Sequence, residues 1–200
     1  MPFTPLRLPD ADVRLDPHWL PEAEAVSLFD ALLAGVPWEV HRIRLFGREV
    51  DSPRLSCWIG DPGAAYTYSG TRFTPRPWPE ALRPVRARLR DELGIDFNSV
   101  LANRYRNGRD GMGWHRDSEA ELGRDPTIAS ISLGATRRFA LRHRRDAAMR
   151  LAFDLPAGAL LVMAGQTQRH YLHALPKSTR EVGERINLTF RRIVQLSRDA

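Results

Sequence analysis

The first amphipathic stretch of the chain covers residues 21–34 (PEAEAVSLFDALLA), in which Val26, Phe29 and Leu33 recur at helical spacing. A glycine at position 35 suits the residue just past the end of a helix. The pattern therefore predicts a helix over residues 21–34, with Val26, Phe29 and Leu33 on its apolar stripe.

A second helical pattern runs over residues 79–93 and ends at Gly94. Its apolar stripe has aliphatic residues three or four positions apart: Leu82, Val85, Leu89 and Leu93. Proline is tolerated only in the first turn of a helix, so Pro84 predicts that the regular part begins near residue 83.

Beyond residue 96 the pattern changes to short runs rich in β-branched and aromatic residues, separated by Gly, Asp or Pro turns. These predicted strands cover residues 97–105, 127–134, 137–143, 149–155, 159–165 and 185–193. Helices followed by a series of short strands predict an α+β chain whose C-terminal half is a sandwich or jelly roll.

The composition is ordinary for a folded chain, with 200 residues, 42% hydrophobic and 27% charged. No Gly/Ser-rich or Pro-rich linker divides it, so one domain is expected over residues 1–200. Cys57 is the only cysteine, which excludes an intramolecular disulfide and a Cys-rich zinc site and favours the cytoplasm. The first residues, MPFTPLRLPD, lack the apolar stretch of a signal peptide, and no run is long enough to span a membrane.

The net charge of +6 and the sequence pI near 10.3 suit a polyanionic partner such as a nucleic acid. Lys177 is the only lysine, so nearly all of the positive charge is arginine. Genome composition also produces such a bias, and charge alone therefore indicates nucleic acid only weakly.

His115 and Asp117 are residue types that bind metal ions, and they follow a glycine-rich turn after the predicted strand that contains Asn103 and Tyr105. Residues i and i+2 of an extended strand share a face, so an imidazole and a carboxylate could bind one metal ion from one side. A bare H-x-D is more often a surface His and Asp, so a third ligand is needed.

Three histidines follow Asp117: His143, His170 and His173. His143 lies in a basic run, which favours a solvated or phosphate-facing position. In a strand His170 and His173 would face opposite ways, so at most one of them could share a site with His115. Local physics does not choose among the three.

The segment 185–191 alternates apolar and polar residues. Strand geometry puts Ile186, Leu188 and Phe190 on the core face. The other face then carries Arg185, Asn187, Thr189 and Arg191. This row is either a solvated outer face or a wall for a small dicarboxylate, because arginine binds carboxylates with two parallel hydrogen bonds.

Together, N-R-Y, the Gly turn, H-R-D-S-E, I-A-S-I-S-L-G, H-A-L-P and R-I-N-L-T-F-R resemble the AlkB family in order, over most of residues 36–193. LFG at 45–47, YTYSG at 66–70 and PRPW at 75–78 resemble the branch with the human nuclear duplex-DNA repair homologues. The resemblance implies a double-stranded β-helix core over 96–194, preceded by helices and a nucleotide-recognition lid within 1–95.

The resemblance also implies roles for individual residues. His115, Asp117 and His173 match the iron ligands of the family, and this match selects His173 as the third ligand. The residues matching the 2-oxoglutarate pocket are Asn103, Tyr105, Arg185, Thr189 and Arg191, with Asn187 close by. The cofactor and cosubstrates implied are Fe(II), 2-oxoglutarate and dioxygen.

On the substrate side, Glu119 matches an acidic residue that contacts the flipped base, and Tyr68 an aromatic residue that stacks on it. Phe46 falls at the expected tip of a hairpin, where it either wedges into a base step or folds back onto the core. The arginines proposed for phosphate contacts are Arg54, Arg137, Arg138, Arg142 and Arg144.

The activity implied is oxidative removal of N-alkyl groups from bases of DNA, with RNA as an alternative, by a monomeric protein. Two other functions fit parts of the pattern. One is the same oxygenase chemistry on a protein side chain or a lipid. The other is a catalytically silent nucleic-acid-binding module, which a complete set of three ligands and two arginines disfavours.

Overall fold

The computed structural model describes residues 3–45, 48–68 and 71–194. Its helices are α1 (Glu22–Gly35), α2 (Arg83–Leu93) and α3 (Thr167–His170). In chain order its strands are β1 (Thr4–Pro5), β2 (Asp12–Asp16), β3 (Glu39–Leu45), β4 (Arg48–Gly60), β5 (Tyr66–Tyr68), β6 (Thr71–Phe73), β7 (Ser99–Tyr105), β8 (Met112–His115), β9 (Ile128–Gly134), β10 (Arg137–His143), β11 (Arg150–Leu155), β12 (Leu160–Ala164), β13 (Tyr171–Leu175) and β14 (Arg185–Arg191).

The strands form two antiparallel sheets and a small hairpin. The larger sheet has eight strands in the order β1-β2-β12-β9-β14-β7-β4-β3. The smaller sheet has four strands in the order β11-β10-β13-β8, and β5 pairs with β6. This mixed α+β architecture agrees with the jelly roll predicted from the sequence.

The two faces of the larger sheet are covered differently. One core cluster joins α1 and α2 to alternate residues of the sheet, including Ile131, Leu160 and Leu188. A second cluster contains Phe139 and Leu141 of the smaller sheet and Leu161 of the larger one. The helices therefore cover one face of the larger sheet and the smaller sheet packs on the other.

The second helix was predicted closely. A 3₁₀ turn at Glu80–Leu82 leads into α2, which begins at Arg83 and buries Val85 and Leu89. Gly94 follows with φ 68°, in the left-handed conformation that glycine adopts without steric cost. The predicted start near residue 83 and the stop at Gly94 are both confirmed.

For the first helix the sequence predicted the span to within one residue and part of the buried face. The predicted Phe29 and Leu33 are half-buried against the core, but the predicted Val26 is not. The most buried residues of α1 are Ala25, Leu28 and Leu32, whereas Val26 is 53% exposed. Two stripes of similar hydrophobicity run along this helix, one position apart. The contact with β9 decides between them, and local periodicity does not contain that information.

This correction leads to a stability prediction. Leu32→Ala is expected to lower the free energy of unfolding by about 2–5 kcal/mol, because it empties a fully packed position. Val26→Ala is the matched control and is expected to change it by less than about 0.5 kcal/mol. Urea denaturation of both variants measures the two values. Equal losses would contradict the orientation of α1.

The six strands predicted beyond residue 96 are present as β7, β9, β10, β11, β12 and β14, whereas β8 and β13 were not among the predicted strands. The N-terminal half also contains more strand than expected. Four strands, β1 to β4, come from residues before 61 and belong to the same sheet as β7 and β14. The larger sheet thus combines both halves of the chain. Among the described residues no helix is long and apolar enough to cross a membrane.

Candidate active site

A cavity between the two sheets brings together the residues that the sequence analysis assigned to metal and cosubstrate. Nine of them line it: Asn103, Tyr105, His115, Asp117, His173, Arg185, Asn187, Thr189 and Arg191. They come from β7 and β14 of the larger sheet, from β8 and β13 of the smaller sheet, and from the residues just after β8. The site therefore exists only when the two sheets are packed together.

Three potential metal ligands meet at one end of this cavity. The ligand atoms of His115, Asp117 and His173 lie within 4.8 Å of one another. His115 and His173 are directly opposite on β8 and β13, with ring centroids 4.1 Å apart. Strand β8 ends at His115, so Asp117 reaches the group from the chain beyond the strand rather than from within it as predicted.

The ring of His115 is oriented by its own backbone neighbour. Its Nδ1 lies 2.9 Å from the carbonyl oxygen of Gly113. A carbonyl oxygen can only accept, so Nδ1 carries the proton and Nε2 keeps its lone pair for a metal ion.

Asp117 is held from two sides. Arg191 donates to its Oδ2, at 3.0 Å from Nη2, and the backbone N–H of Asp117 donates to Oε1 of Gln168 at 3.0 Å. Burial by itself would raise the pKa of Asp117, but the charge of Arg191 and the nearby imidazoles lower it to about 2. The carboxylate is therefore ionised and ready to bind a cation at neutral pH.

The structure places His173 at the site and the other two candidate histidines elsewhere. Burial and the adjacent His115 ring lower the pKa of His173 to about 3, so it is the neutral imidazole that metals bind. His143 and His170 stack on each other and form a separate group with Asp10.

Along β14 the polar residues form a hydrogen-bonded ladder. Nη2 of Arg185 donates to Oδ1 of Asn187 at 2.7 Å and to Oγ of Ser132 at 2.8 Å. Nδ2 of Asn187 donates to Oγ1 of Thr189 at 2.9 Å. The alternation predicted for this strand is confirmed, since Ile186, Leu188 and Phe190 belong to the core.

The interpretation of this row as a solvated face is wrong, because Arg185 is only 1% exposed. Burial lowers the pKa of its guanidinium to about 10, so the group stays charged at neutral pH. Its Nε has no hydrogen-bond partner among the described residues, and its Nη2 donates to the neutral side chains of Ser132 and Asn187 rather than to a carboxylate. A buried cation in this state is suited to a carboxylate ligand.

The sequence analysis missed three polar residues of the site. Ser130 and Ser132 project from β9 toward β14 and bond Asn187 and Arg185. Their i, i+2 spacing in a predicted strand was the available indication. Gln168 lies in α3, and nothing in its local sequence indicates contact with Asp117.

Of the three residues predicted to contact the substrate base or the base stack, only Glu119 has a described side chain. Glu119 is half-buried two residues past Asp117, and it does not line the cavity. The backbone of Tyr68 pairs with Thr71 in the β5–β6 hairpin, but its side chain lies outside the described residues. Phe46 falls between β3 and β4, which pair at Leu45 and Arg48, and lies outside the described residues too.

The arginines proposed for phosphate contacts differ among themselves. Arg137 is buried and donates to backbone carbonyls, including that of Pro176, so it is a structural residue. Arg138 pairs with Asp154, and Arg144 donates to the carbonyl of Arg169. Arg142 stacks on the exposed Trp114 ring at 4.3 Å. Arg54 is buried beside Asn103.

Comparison with known proteins agrees with this geometry. The family model of the 2OG-Fe(II) oxygenase superfamily matches residues 12–191. The mouse protein named DNA oxidative demethylase ALKBH2 is 39% identical over 183 residues, which is 86% of this chain and 77% of that protein. This chain belongs to the AlkB family of 2OG-Fe(II) oxygenases.

Other AlkB relatives show similar matches. The human DNA oxidative demethylase ALKBH2 is 39% identical over 185 residues, covering 86% of this chain and 70% of that protein. The human alpha-ketoglutarate-dependent dioxygenase alkB homolog 3 is 37% identical over 190 residues, covering 90% of this chain and 66% of that protein. The solved structure of OsALKBH1 superposes with a TM-score of 0.61 at 17% identity, covering 96% of this chain and all of that one, and supports the fold alone.

As an AlkB-family dioxygenase, the chain uses Fe(II) and 2-oxoglutarate, and its residues fit both. Two imidazoles and one carboxylate are the facial ligand set of non-haem Fe(II) oxygenases. The partnerless Nε of Arg185 in the same cavity fits a carboxylate. Bound iron supplies dioxygen activation coupled to decarboxylation of 2-oxoglutarate.

Proposed function

We propose that this protein removes N-alkyl groups from bases of DNA, with 1-methyladenine and 3-methylcytosine as substrate types and RNA as a further substrate class. The observation that carries the proposal is a single cavity that joins the metal triad to the cationic wall of β14. Support comes from relatives named DNA oxidative demethylase that match most of the chain.

In the proposed reaction, the side chains bind and orient the reactants. Arg185 and Arg191 neutralise the carboxylates of 2-oxoglutarate, while Asn103, Tyr105 and Thr189 donate hydrogen bonds to it. One oxygen atom of dioxygen enters succinate as carbon dioxide leaves, and the other hydroxylates the N-alkyl carbon. The resulting hemiaminal breaks its C–N bond, which releases an aldehyde and the repaired base.

The nucleotide-recognition lid is also part of this proposal. The β3–β4 hairpin lies at the edge of the larger sheet, where β4 pairs with β7 of the site, and the β5–β6 hairpin follows it in the chain. We assign Glu119 and Tyr68 to contact with the flipped base. A base methylated on a ring nitrogen is cationic and weakly paired, so an acidic contact favours it and flipping costs less.

A direct assay tests this function. Protein loaded anaerobically with Fe(II) is mixed with aerated buffer, 2-oxoglutarate and an oligonucleotide containing 1-methyladenine or 3-methylcytosine. We expect the oligonucleotide to lose its methyl group, as seen by mass spectrometry, with one succinate formed per methyl removed. If alkylated oligonucleotides fail to stimulate 2-oxoglutarate turnover and a protein or lipid does so, the proposed substrate class is wrong.

A second prediction concerns Phe46, which lies outside the described residues. If its ring wedges into the base stack, it matters most in a duplex, where the flipped base leaves a gap opposite a complementary strand. Phe46→Ala is expected to reduce single-turnover repair of 1-methyladenine in duplex DNA by at least about tenfold, which corresponds to losing one stacking contact. Repair in single-stranded DNA and 2-oxoglutarate affinity should stay near wild type. Equal losses on both substrates would exclude the wedge.

A further inference from the structure

Arg54 occupies a position that phosphate contact alone does not explain. It lies in β4, is only 6% exposed, and precedes by two residues Ser56, which pairs with Asn103 of β7. The hydrogen bond that its side chain makes among the described residues goes to the neutral amide of Asn103 rather than to a carboxylate. Its guanidinium is therefore a cation held inside the protein, at the side of the cavity that Asn103 lines.

The guanidinium makes one well-defined contact with the site. Nε of Arg54 donates to Oδ1 of Asn103 at 2.9 Å, and both side chains are buried. An arginine nitrogen can only donate, so the end of the Asn103 amide that faces Arg54 must be the oxygen. A flipped amide would bring its NH₂ group against the N–H of Arg54, two donors facing each other.

The orientation of this amide decides what Asn103 can bind. With Oδ1 occupied by Arg54, Nδ2 is the end available to the cavity. A carboxylate accepts hydrogen bonds and cannot donate them, so only Nδ2 can bind an oxygen of 2-oxoglutarate. Without Arg54 the amide could adopt either orientation, and the unproductive one would present an oxygen to the anionic cosubstrate.

We propose that Arg54 is a positioning residue for 2-oxoglutarate, which acts by fixing the amide of Asn103 with Nδ2 toward the cosubstrate. This inference rests on the proposed role of Asn103 in cosubstrate binding. It assigns Arg54 a function that needs no nucleic acid, in addition to or in place of a phosphate contact.

Two substitutions of Arg54 separate orientation from charge. The side-chain amide nitrogen of Arg54→Gln is as many bonds from Cα as Nε of arginine, so it can donate to Asn103 without a charge. Arg54→Met places a methyl group there. We expect Arg54→Met to raise the Kd of 2-oxoglutarate about tenfold and Arg54→Gln to keep it within about threefold of wild type.

The measurement is anaerobic titration of the Fe(II) protein with 2-oxoglutarate, without nucleic acid, followed by the charge-transfer absorbance of the bound cosubstrate. Arg150→Met, an exposed arginine of β11, is the control and should change nothing. Thermal melting and the Fe(II) affinity of each variant show that fold and metal site are intact. If Arg54→Met does not fold, a tenfold weaker Kd in Arg54→Gln alone would overturn the proposal.

A double-mutant cycle tests whether Arg54 acts through Asn103. In an Asn103→Ala background, Arg54→Met should no longer affect the Kd of 2-oxoglutarate, because there is no amide to orient. An undiminished effect in that background contradicts the mechanism.

If Arg54→Met leaves the Kd unchanged and weakens only oligonucleotide binding, Arg54 is a phosphate contact and not a positioning residue. The wild type could also fail to repair the oligonucleotide while the double-mutant cycle gives the expected Kd values. In that case the positioning role of Arg54 stands and the proposed substrate is wrong.

Discussion

Asp117→Ala and His173→Ala are each expected to abolish iron-dependent turnover. Each removes one of three ligands whose donor atoms lie within 4.8 Å of one another. Loss of an outer-sphere partner already costs about 10–100-fold in metal affinity, and loss of a ligand costs more. Fe(II) binding by equilibrium dialysis, with 2-oxoglutarate turnover on the same samples, checks both effects.

The two variants also differ in a way that the structure predicts. Asp117→Ala leaves Arg191 buried without its carboxylate, and breaking a buried ion pair destabilises proteins by about 3–5 kcal/mol. His173→Ala removes an imidazole that bears no charge at neutral pH. The melting temperature should therefore fall further in Asp117→Ala.

His170→Ala provides the control for the choice of histidine. Its ring stacks on His143 and contacts Oε1 of Gln166, in a group separate from the triad. Iron binding and turnover should stay near wild type. Loss of activity in His170→Ala together with retention in His173→Ala would mean that the third ligand is wrongly assigned.

The second large effect is expected on the wall of β14. Arg185→Ala should weaken 2-oxoglutarate binding by about 2–5 kcal/mol, because it leaves a carboxylate without its charged partner in a confined pocket. Fe(II) affinity should hardly change. Arg191→Ala should weaken both, since Arg191 also donates to the iron ligand Asp117. Anaerobic titrations with 2-oxoglutarate and with Fe(II) distinguish the two variants.

Arg192→Ala is the matched control for these arginines. Arg192 follows Arg191 in sequence and is exposed, whereas Arg191 is 3% exposed. Cosubstrate affinity should be nearly unchanged. An effect as large as that of Arg185→Ala would contradict the assignment of faces on this strand.

Strand periodicity predicted part of the site correctly because alternation is a local property. In β14 every second residue faces the core, so the polar set on the other face follows from the sequence. The same reasoning could have found Ser130 and Ser132 on β9. It could not distinguish a solvated face from a cavity wall, because that depends on the packing of the smaller sheet.

Contacts between segments that are far apart in the chain could not be predicted from local sequence patterns. The face of α1 depends on its packing against β9, and the choice of His173 depends on the register of β13 against β8. Periodicity placed Val26 on the wrong side, and only family resemblance selected the histidine. Arg54 looked like one of many surface arginines, although β4 places it against Asn103 inside the protein.

The position of β14 in the sheet has a consequence for how the protein folds as it is synthesised. This strand lies between β7 and β9 and pairs with both of them from Arg185 to Phe190. A ribosome completes β9 at Gly134, well before it reaches Arg185. Until then the nascent chain has two unpaired strand edges, which are prone to pair with other chains. Synthesis of β14 closes the sheet and supplies both arginines of the cosubstrate wall in one step.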